Sequence, residues 1–490
     1  MIVLAERVVV LILAVAAYTT AGRTAPALRL ALWNGARAPQ ATFGAETWLA
    51  PGAAHPAAGW LGDALLARLA PLVGGSGLAL LAGIVWAAAL LITERRARDR
   101  GGAIASACAV VLAFATGASG SLVGDRSATN AVFAALLLLA LDRTARSPLA
   151  ATSSRAAVAY PVTVVFLWAW LTPDALLGVA FATAAAIGVT VEARLRGEAF
   201  GAPAGLRDAW VVAAGCLAAT LATPATFGYL GASLAALRLD GAKQPFSVAP
   251  GDVAPLAYHS GFMALLVLAI LVGGRYGPRP LAGDAVRTTG AGSPPADAAV
   301  LAVAIAIGFF DGASLPVAGI AAAPVLAGAA VRRFGWLGDA GDAGVVRRLA
   351  PLGVIAFGLA ALTGAIALDR RAGPTPYDAT MLVDRIAADP HARALFCGQP
   401  LWCDAALGSH VRVGLDGRTG WPPAAVDAQT TVVGLGPRWE AVLARGGVDR
   451  IVALRATGLA GILRLRSDWR EIGSDGVAAA FERTNRQPGR

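Results

Sequence analysis

Apolar stretches of bilayer-spanning character recur along about the first 370 residues, separated by short Arg-rich or Gly/Pro-rich breaks. They fall near 3–20, 75–93, 103–118, 129–141, 157–171, 174–191, 209–223, 257–273, 297–310, 315–331 and 350–368. A spanning helix takes roughly 20 mostly apolar residues, so the pattern predicts about eleven spans. Near Pro374 the pattern changes: charged residues become frequent and apolar positions periodic. Ala379–Ala388, Trp439–Ala444 and Leu459–Leu465 read as helices there. Ala392–Phe396, Val411–Leu415, Arg450–Leu454 and Val477–Phe481 read as short strands. Helices alternating with strands predict a compact α/β domain. Trp402, Trp421, Trp439 and Trp469 argue against a disordered tail.

The arginines between the apolar stretches set a direction. Arg95, Arg96, Arg98 and Arg100 follow the second span, and Arg143, Arg146 and Arg155 the fourth. Arg194, Arg196 and Arg207 follow the sixth, Arg275, Arg279 and Arg287 the eighth, and Arg332, Arg333, Arg347 and Arg348 the tenth. The breaks after the fifth and ninth spans hold neither Arg nor Lys. Cytoplasmic loops carry the positive excess, so the N-terminus is expected inside and the C-terminal tail outside. The first stretch, from Ile2 to about Thr20, is interrupted early by Glu6 and Arg7 and reads as a retained helix, not a cleaved signal.

The expected fold class is therefore an all-α polytopic membrane protein of about eleven transmembrane helices with a small C-terminal α/β extracytoplasmic domain. Residues 1–370 form the multi-pass body, with a long first outer loop at 23–74, and residues 371–490 the extracytoplasmic domain. Within the first loop, Trp60, Leu61, Leu65, Leu66 and Leu69 form an apolar arc flanked by Asp63 and Arg68. That arc suits a helix lying on the membrane surface, and equally a short helix packed on the spans.

Composition agrees. Of 490 residues, 57% are hydrophobic and 15% charged, and the mean hydropathy of +0.62 exceeds what one soluble core can bury. A soluble enzyme and a single-anchor receptor are both excluded. The net charge of +10 would suggest nucleic acid in a soluble protein. Here most of the Arg lies between spans and Lys243 is the lone lysine, so membrane lipid is the expected partner and nucleic acid is not.

Soluble-enzyme signatures are missing: no phosphate-binding loop with its Lys, no His-Glu-x-x-His and no Gly-x-Ser-x-Gly. His55, His259, His391 and His410 are too few for a His-rich metal centre. No cofactor is expected, and the sequence leaves a divalent metal open. Cys108 and Cys216 sit inside spans as small apolar fillers. Cys397 and Cys403 lie in the outer domain, where a disulfide and two separately buried thiols are both open. The chemistry left is carboxylates on the expected outer face: Glu46 and Asp63 in the first loop, and Asp125, Asp174, Asp240, Asp252 and Asp311 between spans. Ionisable groups near the apolar layer are costly and functional by default. Asp174 and Asp311 lie in the shortest turns and could instead cap the helices that follow. Asp125 adjoins Arg126, which could contact a leaving phosphate or simply pair with its neighbour.

Several stretches carry a resemblance. They are "ETWLAPGAAHPAAGWLGDALLARL" (46–69), "FLWAWLTPDALLG" (166–178), "LATPATFGYL" (221–230), "VRVGLDGRTGW" (411–421), "RWEAVLARGGVDRIVAL" (438–454) and "SDWREI" (467–472). Together with the order of pieces, they resemble membrane glycosyltransferases of the C-type (GT-C) fold. The likeness points to a bacterial multi-pass group related to the dolichyl-phosphate-mannose-protein mannosyltransferase family. It implies transfer of a sugar from a polyprenyl-phosphate carrier to an envelope glycan, lipid or protein acceptor, at the outer face of the bacterial inner (plasma) membrane. It makes Glu46 the candidate base, with Asp63 a weaker one. Arg126, Asp125, Asp174, Asp311, Asp416 and Arg418 are the candidate substrate contacts, although Asp416-Gly417-Arg418 also reads as a tight turn closing a strand.

The chain departs from that group where the latter commonly carries Asn and His, here Trp170 and Thr172, and Asn-Pro-x-Gly, here Thr223-Pro224 with Gly228 displaced. Ser314-Leu315-Pro316 also lacks the group's usual Arg. These losses favour the alternative, a non-catalytic membrane protein that binds or presents envelope glycans or serves an envelope assembly complex.

Overall fold

A computed structural model describes residues 47–50, 59–121, 127–146, 155–195, 204–224, 226–231, 233, 260–273, 294–310, 314–333, 379–416 and 421–484. The expected spans at 3–20 and 350–368 lie outside these residues. Two compact units are present. One holds the described residues of Val73–Leu230 and Asp240–Ala365, and the other those of Thr24–Leu72, Gly231–Leu239 and Ile366–Arg490.

The first unit is helical. Its opening element is the part from Val73 onward of α1 (Trp60–Ser121), a single helical stretch that doubles back. In a straight helix Glu94 and Ser106 would stand about 18 Å apart at 1.5 Å per residue, but the Ser106 hydroxyl donates to Glu94 Oε1 at 3.1 Å. The reversal falls at Gly102, whose φ of +71° is one that side-chain-bearing residues rarely adopt. Gly117 on the returning arm lies directly against the Trp86 ring on the outgoing arm. The two expected spans at 75–93 and 103–118 are the arms of this hairpin.

Then follow α2 (Ser127–Arg146), α3 (Arg155–Leu171), α4 (Leu176–Leu195), α5 (Ala204–Leu221), α6 (Ser260–Gly273), α7 (Pro294–Phe310) and α8 (Leu315–Arg333). Helix α4 packs on α5 and α7, α3 on α2 and α5, and α8 on α2, α6 and α7. Small residues set these approaches, as where Gly188 of α4 meets the backbone of Ala296 in α7, leaving no room for a Cβ. Helix α4 is long and apolar enough to cross a bilayer, and Ala105–Gly117, Arg155–Leu171, Pro295–Phe309 and Leu315–Ala330 are shorter apolar helices. Leu80, Leu81, Ile84, Leu167, Ile187 and Val267 point outward, which suits lipid rather than water.

The second unit is built on a five-stranded sheet in the order β2-β1-β3-β5-β4. Its strands are β1 (Ala394–Cys397), β2 (Arg412–Val413), β3 (Arg450–Leu454), β4 (Trp469–Ser474) and β5 (Ala478–Arg483). β1 lies parallel between β2 and β3, and β5 antiparallel between β3 and β4. The helices are α9 (Thr380–Ala388), α10 (Pro423–Val433), α11 (Trp439–Gly446) and α12 (Gly458–Leu465), with a 3₁₀ turn at Pro400–Ala406. One core gathers Leu382, Val383, Ile386, Trp402 and Val452. Another gathers Phe396, Leu443, Ile451, Leu463, Trp469 and Phe481. Cys397 of β1 and Cys403 of the 3₁₀ turn are joined by a disulfide, with Cα atoms 5.8 Å apart.

The sheet gains one more contact from far upstream. Thr47 forms a parallel bridge with Val413 on the edge strand β2, and the Trp48 N–H donates to Val413 O at 2.9 Å. Ala50 joins Leu415, Trp421 and Ala425 in a small core.

Three expectations change. The strand expected at Val411–Leu415 is ordered as a ladder only over Arg412–Val413. Helix α10 and strand β4 have no counterpart in the expected pattern: α10 carries several β-branched residues, and β4 presents one buried position followed by exposed ones. Of the two readings of the opening turns of α1, the exposure of Leu65 and Leu69 counts against inward packing and agrees with a surface helix, while Asp63, expected on a polar flank, is buried.

Candidate functional site

Two polar assemblies lie at opposite ends of helix α2. Near its first turn, Asn130 is buried. Its Oδ1 accepts from the Trp168 indole at 2.8 Å and from the Thr172 hydroxyl at 2.7 Å, and its Nδ2 donates to Asp174 Oδ2 at 2.7 Å. Trp168 comes from α3, while Thr172 and Asp174 belong to the short turn between α3 and α4. The Tyr229 hydroxyl closes the assembly, donating to Thr172 O and accepting from Ala175 N, both at 2.9 Å. Tyr229 is delivered by the turn after α5, in which Thr226 has a φ of +44°. A β-branched residue in that region is strained and is held there by its surroundings.

At the other end, Arg96 and Arg100 of α1 meet Asp142 of α2 and Asp297 of α7. Arg96 Nε donates to Asp142 Oδ2 at 2.9 Å, and Arg100 reaches Asp142 Oδ1 at 2.6 Å and Asp297 Oδ1 at 3.0 Å. Arg96 also donates to Ile320 O at 3.2 Å, and Gly328 of α8 leaves room for the Arg100 stem. Glu94 pairs with Arg98 one turn on. With cations and carboxylates matched, these pairs tie α1, α2, α7 and α8 together.

Of the residues singled out in the sequence, Asp174 lies in the first assembly, half-buried and gripped by Asn130. Asp63 is buried in the second unit. Asp416 is buried just past β2, where its carbonyl accepts from the Trp421 indole at 3.3 Å. Glu46, Asp125, Arg126, Asp240, Asp252, Asp311 and Arg418 lie outside the described residues. Among the described residues, no group of three His, Cys, Asp or Glu side chains could hold a metal ion. Asn130 and Tyr229 were not anticipated. An amide inside an otherwise apolar helix was the available signal for Asn130, since a polar group there must find partners.

No protein-family model matches the chain, and no curated protein matches it. Among solved structures, its fold is similar over 98% of its length to ArnT from Cupriavidus metallidurans, solved bound to undecaprenyl phosphate. That match covers 97% of the ArnT chain, with a TM-score of 0.51 and 14% identity. A second similar structure is the archaeal oligosaccharyltransferase AglB from Archaeoglobus fulgidus, in complex with an inhibitory peptide and a dolichol-phosphate. There the match covers 91% of this chain and 69% of AglB, with a TM-score of 0.51 and 13% identity. The chain thus shares its fold with these two proteins, and its described residues are mostly helical with a small C-terminal sheet domain. At this identity the likeness is one of fold.

Proposed function

We propose that the protein is a membrane glycosyltransferase that moves a sugar from a polyprenyl-phosphate carrier to an acceptor at the outer face of the bacterial inner membrane. The observation that carries this is the fold shared end to end with a protein solved holding undecaprenyl phosphate. The Arg alternation supports an outer location for the Asn130–Asp174 end of the bundle, because Arg96 and Arg100 occupy the opposite end. The tail then lies outside, where a disulfide such as Cys397–Cys403 persists.

Glu46 is the proposed base. It takes the proton of an acceptor hydroxyl whose oxygen bonds to the anomeric carbon of the sugar, while the bond from that carbon to the carrier phosphate breaks and the polyprenyl phosphate leaves. Arg126 is proposed to stabilise the charge gathering on that phosphate. Asp125, Asp174, Asp311, Asp416 and Arg418 are proposed substrate contacts, and Asp63 is the alternative acid. Glu46 directly precedes Thr47, whose pairing with Val413 supports a defined place for this stretch of the first loop.

The test is mass spectrometry of undecaprenyl-phosphate glucose, mannose and galactose incubated with reconstituted protein and envelope extract, comparing wild type with Glu46→Gln. Loss of one donor that needs Glu46 supports transfer. Intact donors beside folded protein point to the non-catalytic, glycan-binding alternative.

A further inference from the structure

Asp174 is held more firmly than a turn requires. An indole N–H can only donate, and the Thr172 hydroxyl donates to the same Asn130 Oδ1, so both lone pairs of that oxygen are used. The amide can therefore present only Nδ2 to the acid, and it does so at 2.7 Å from Asp174 Oδ2. An ionised carboxylate only accepts, so the donating amide fixes its orientation as an acceptor. Tyr229 fixes the main chain on both sides, bonding Thr172 O before Asp174 and Ala175 N after it. Groups from α2, α3 and the turn after α5 thus converge on one half-buried acid.

We propose that Asp174 binds a hydroxyl group of the sugar carried on a polyprenyl-phosphate lipid, with Asn130 and Tyr229 as its positioning residues. This rests on the transferase proposal above. The choice of sugar over phosphate follows from hydrogen bonding: an ionised carboxylate only accepts, a sugar hydroxyl can donate to it, and an ionised phosphodiester has no proton to give.

The test uses the full chain in lipid nanodiscs and measures affinity for undecaprenol, undecaprenyl phosphate, and undecaprenyl-phosphate glucose, mannose and galactose. Asp174→Asn is expected to weaken the preferred sugar lipid about tenfold to a hundredfold, without weakening undecaprenyl phosphate. Asn130→Asp keeps both acceptors for Trp168 and Thr172 but sets carboxylate against carboxylate, so it lowers both the melting temperature and the sugar-lipid affinity. Combining Asn130→Asp with Asp174→Asn exchanges amide and carboxylate and restores the hydrogen bond. The melting temperature is then expected to recover while sugar-lipid affinity does not.

Recovery of both, or sugar-lipid affinity unchanged by Asp174→Asn, would make Asp174 a brace and overturn the proposal. A wild type that holds no sugar lipid more tightly than undecaprenyl phosphate overturns it as well. A wild type that holds undecaprenyl phosphate no better than undecaprenol removes the transferase proposal itself.

Discussion

The Trp48 indole donates to the main-chain oxygen of Leu395 at 3.1 Å, across 347 residues of sequence. Its ring lies 6.4 Å from that of Phe396 and directly against Gly446, at the end of α11, where a Cβ would overlap it. With the Thr47–Val413 bridge, this ties residues 47 and 48 to the C-terminal sheet. Gly446→Val is expected to expel the indole and destabilise this unit by about 1–3 kcal/mol, the usual cost of overpacking. Limited proteolysis of the intact chain checks it: cleavage near residues 47–50 should accelerate in the variant, and unchanged cleavage would count against the docking.

Arg96, Arg100, Asp142 and Asp297 form a matched set of buried charges. Removing one carboxylate strands a cation in a site with little water, so Asp142→Ala is expected to cost about 3–5 kcal/mol. Replacing Arg96, Arg100, Asp142 and Asp297 together by apolar residues of similar volume leaves no charge stranded and should cost less than Asp142→Ala alone. Thermal denaturation in detergent of the single and quadruple variants reads this difference.

The C-terminal unit should resist acid down to the carboxylate range. The His391 N–H and the Arg450 guanidinium hold Asp389 below its ordinary pKa, Arg466 does the same to Asp468, and Arg464 to Glu471. Each group binds its proton less readily folded than unfolded. Their contribution is therefore complete above the unfolded values of about 3.9 for Asp and 4.3 for Glu, and is lost as pH falls through the lower folded values. Hydrogen exchange over residues 379–484 of the intact chain should stay slow from pH 8 to pH 5 after correction for intrinsic rates. Asp389→Asn should lower stability at pH 7 and flatten the acid limb. Protection lost between pH 8 and pH 6 would contradict this assignment.

Much of the fold was legible because bilayer thickness and strand burial both write themselves into hydrophobic pattern. The expected spans from 129–141 to 315–331 each fall within or closely overlap one helix of the bundle. The tail elements at Ala379–Ala388, Arg450–Leu454 and Leu459–Leu465 fall where their periodicity put them. The hairpin of α1 was visible only as two stretches with Gly101-Gly102 between them, since a single left-handed glycine leaves no hydrophobic mark. Helix α10 and strand β4 escaped because neither repeats cleanly at its own period. For the site, Asp174 stood out as an acid in a short turn, but Asn130 reaches it, and Tyr229 the main chain beside it, only when three helices meet. No local spacing encodes that meeting.

Sugar transfer is tested most directly by its leaving group. Reconstituted protein, given envelope extract and the undecaprenyl-phosphate sugar that the wild type consumes, should release undecaprenyl phosphate in step with glycosylated acceptor. Glu46→Gln should release at least a hundredfold less, given that a general base contributes about 10²–10⁴ in rate. Donors that stay intact beside folded wild-type protein, or equal release by Glu46→Gln, would contradict the assignment of this chain as a transferase acting through Glu46.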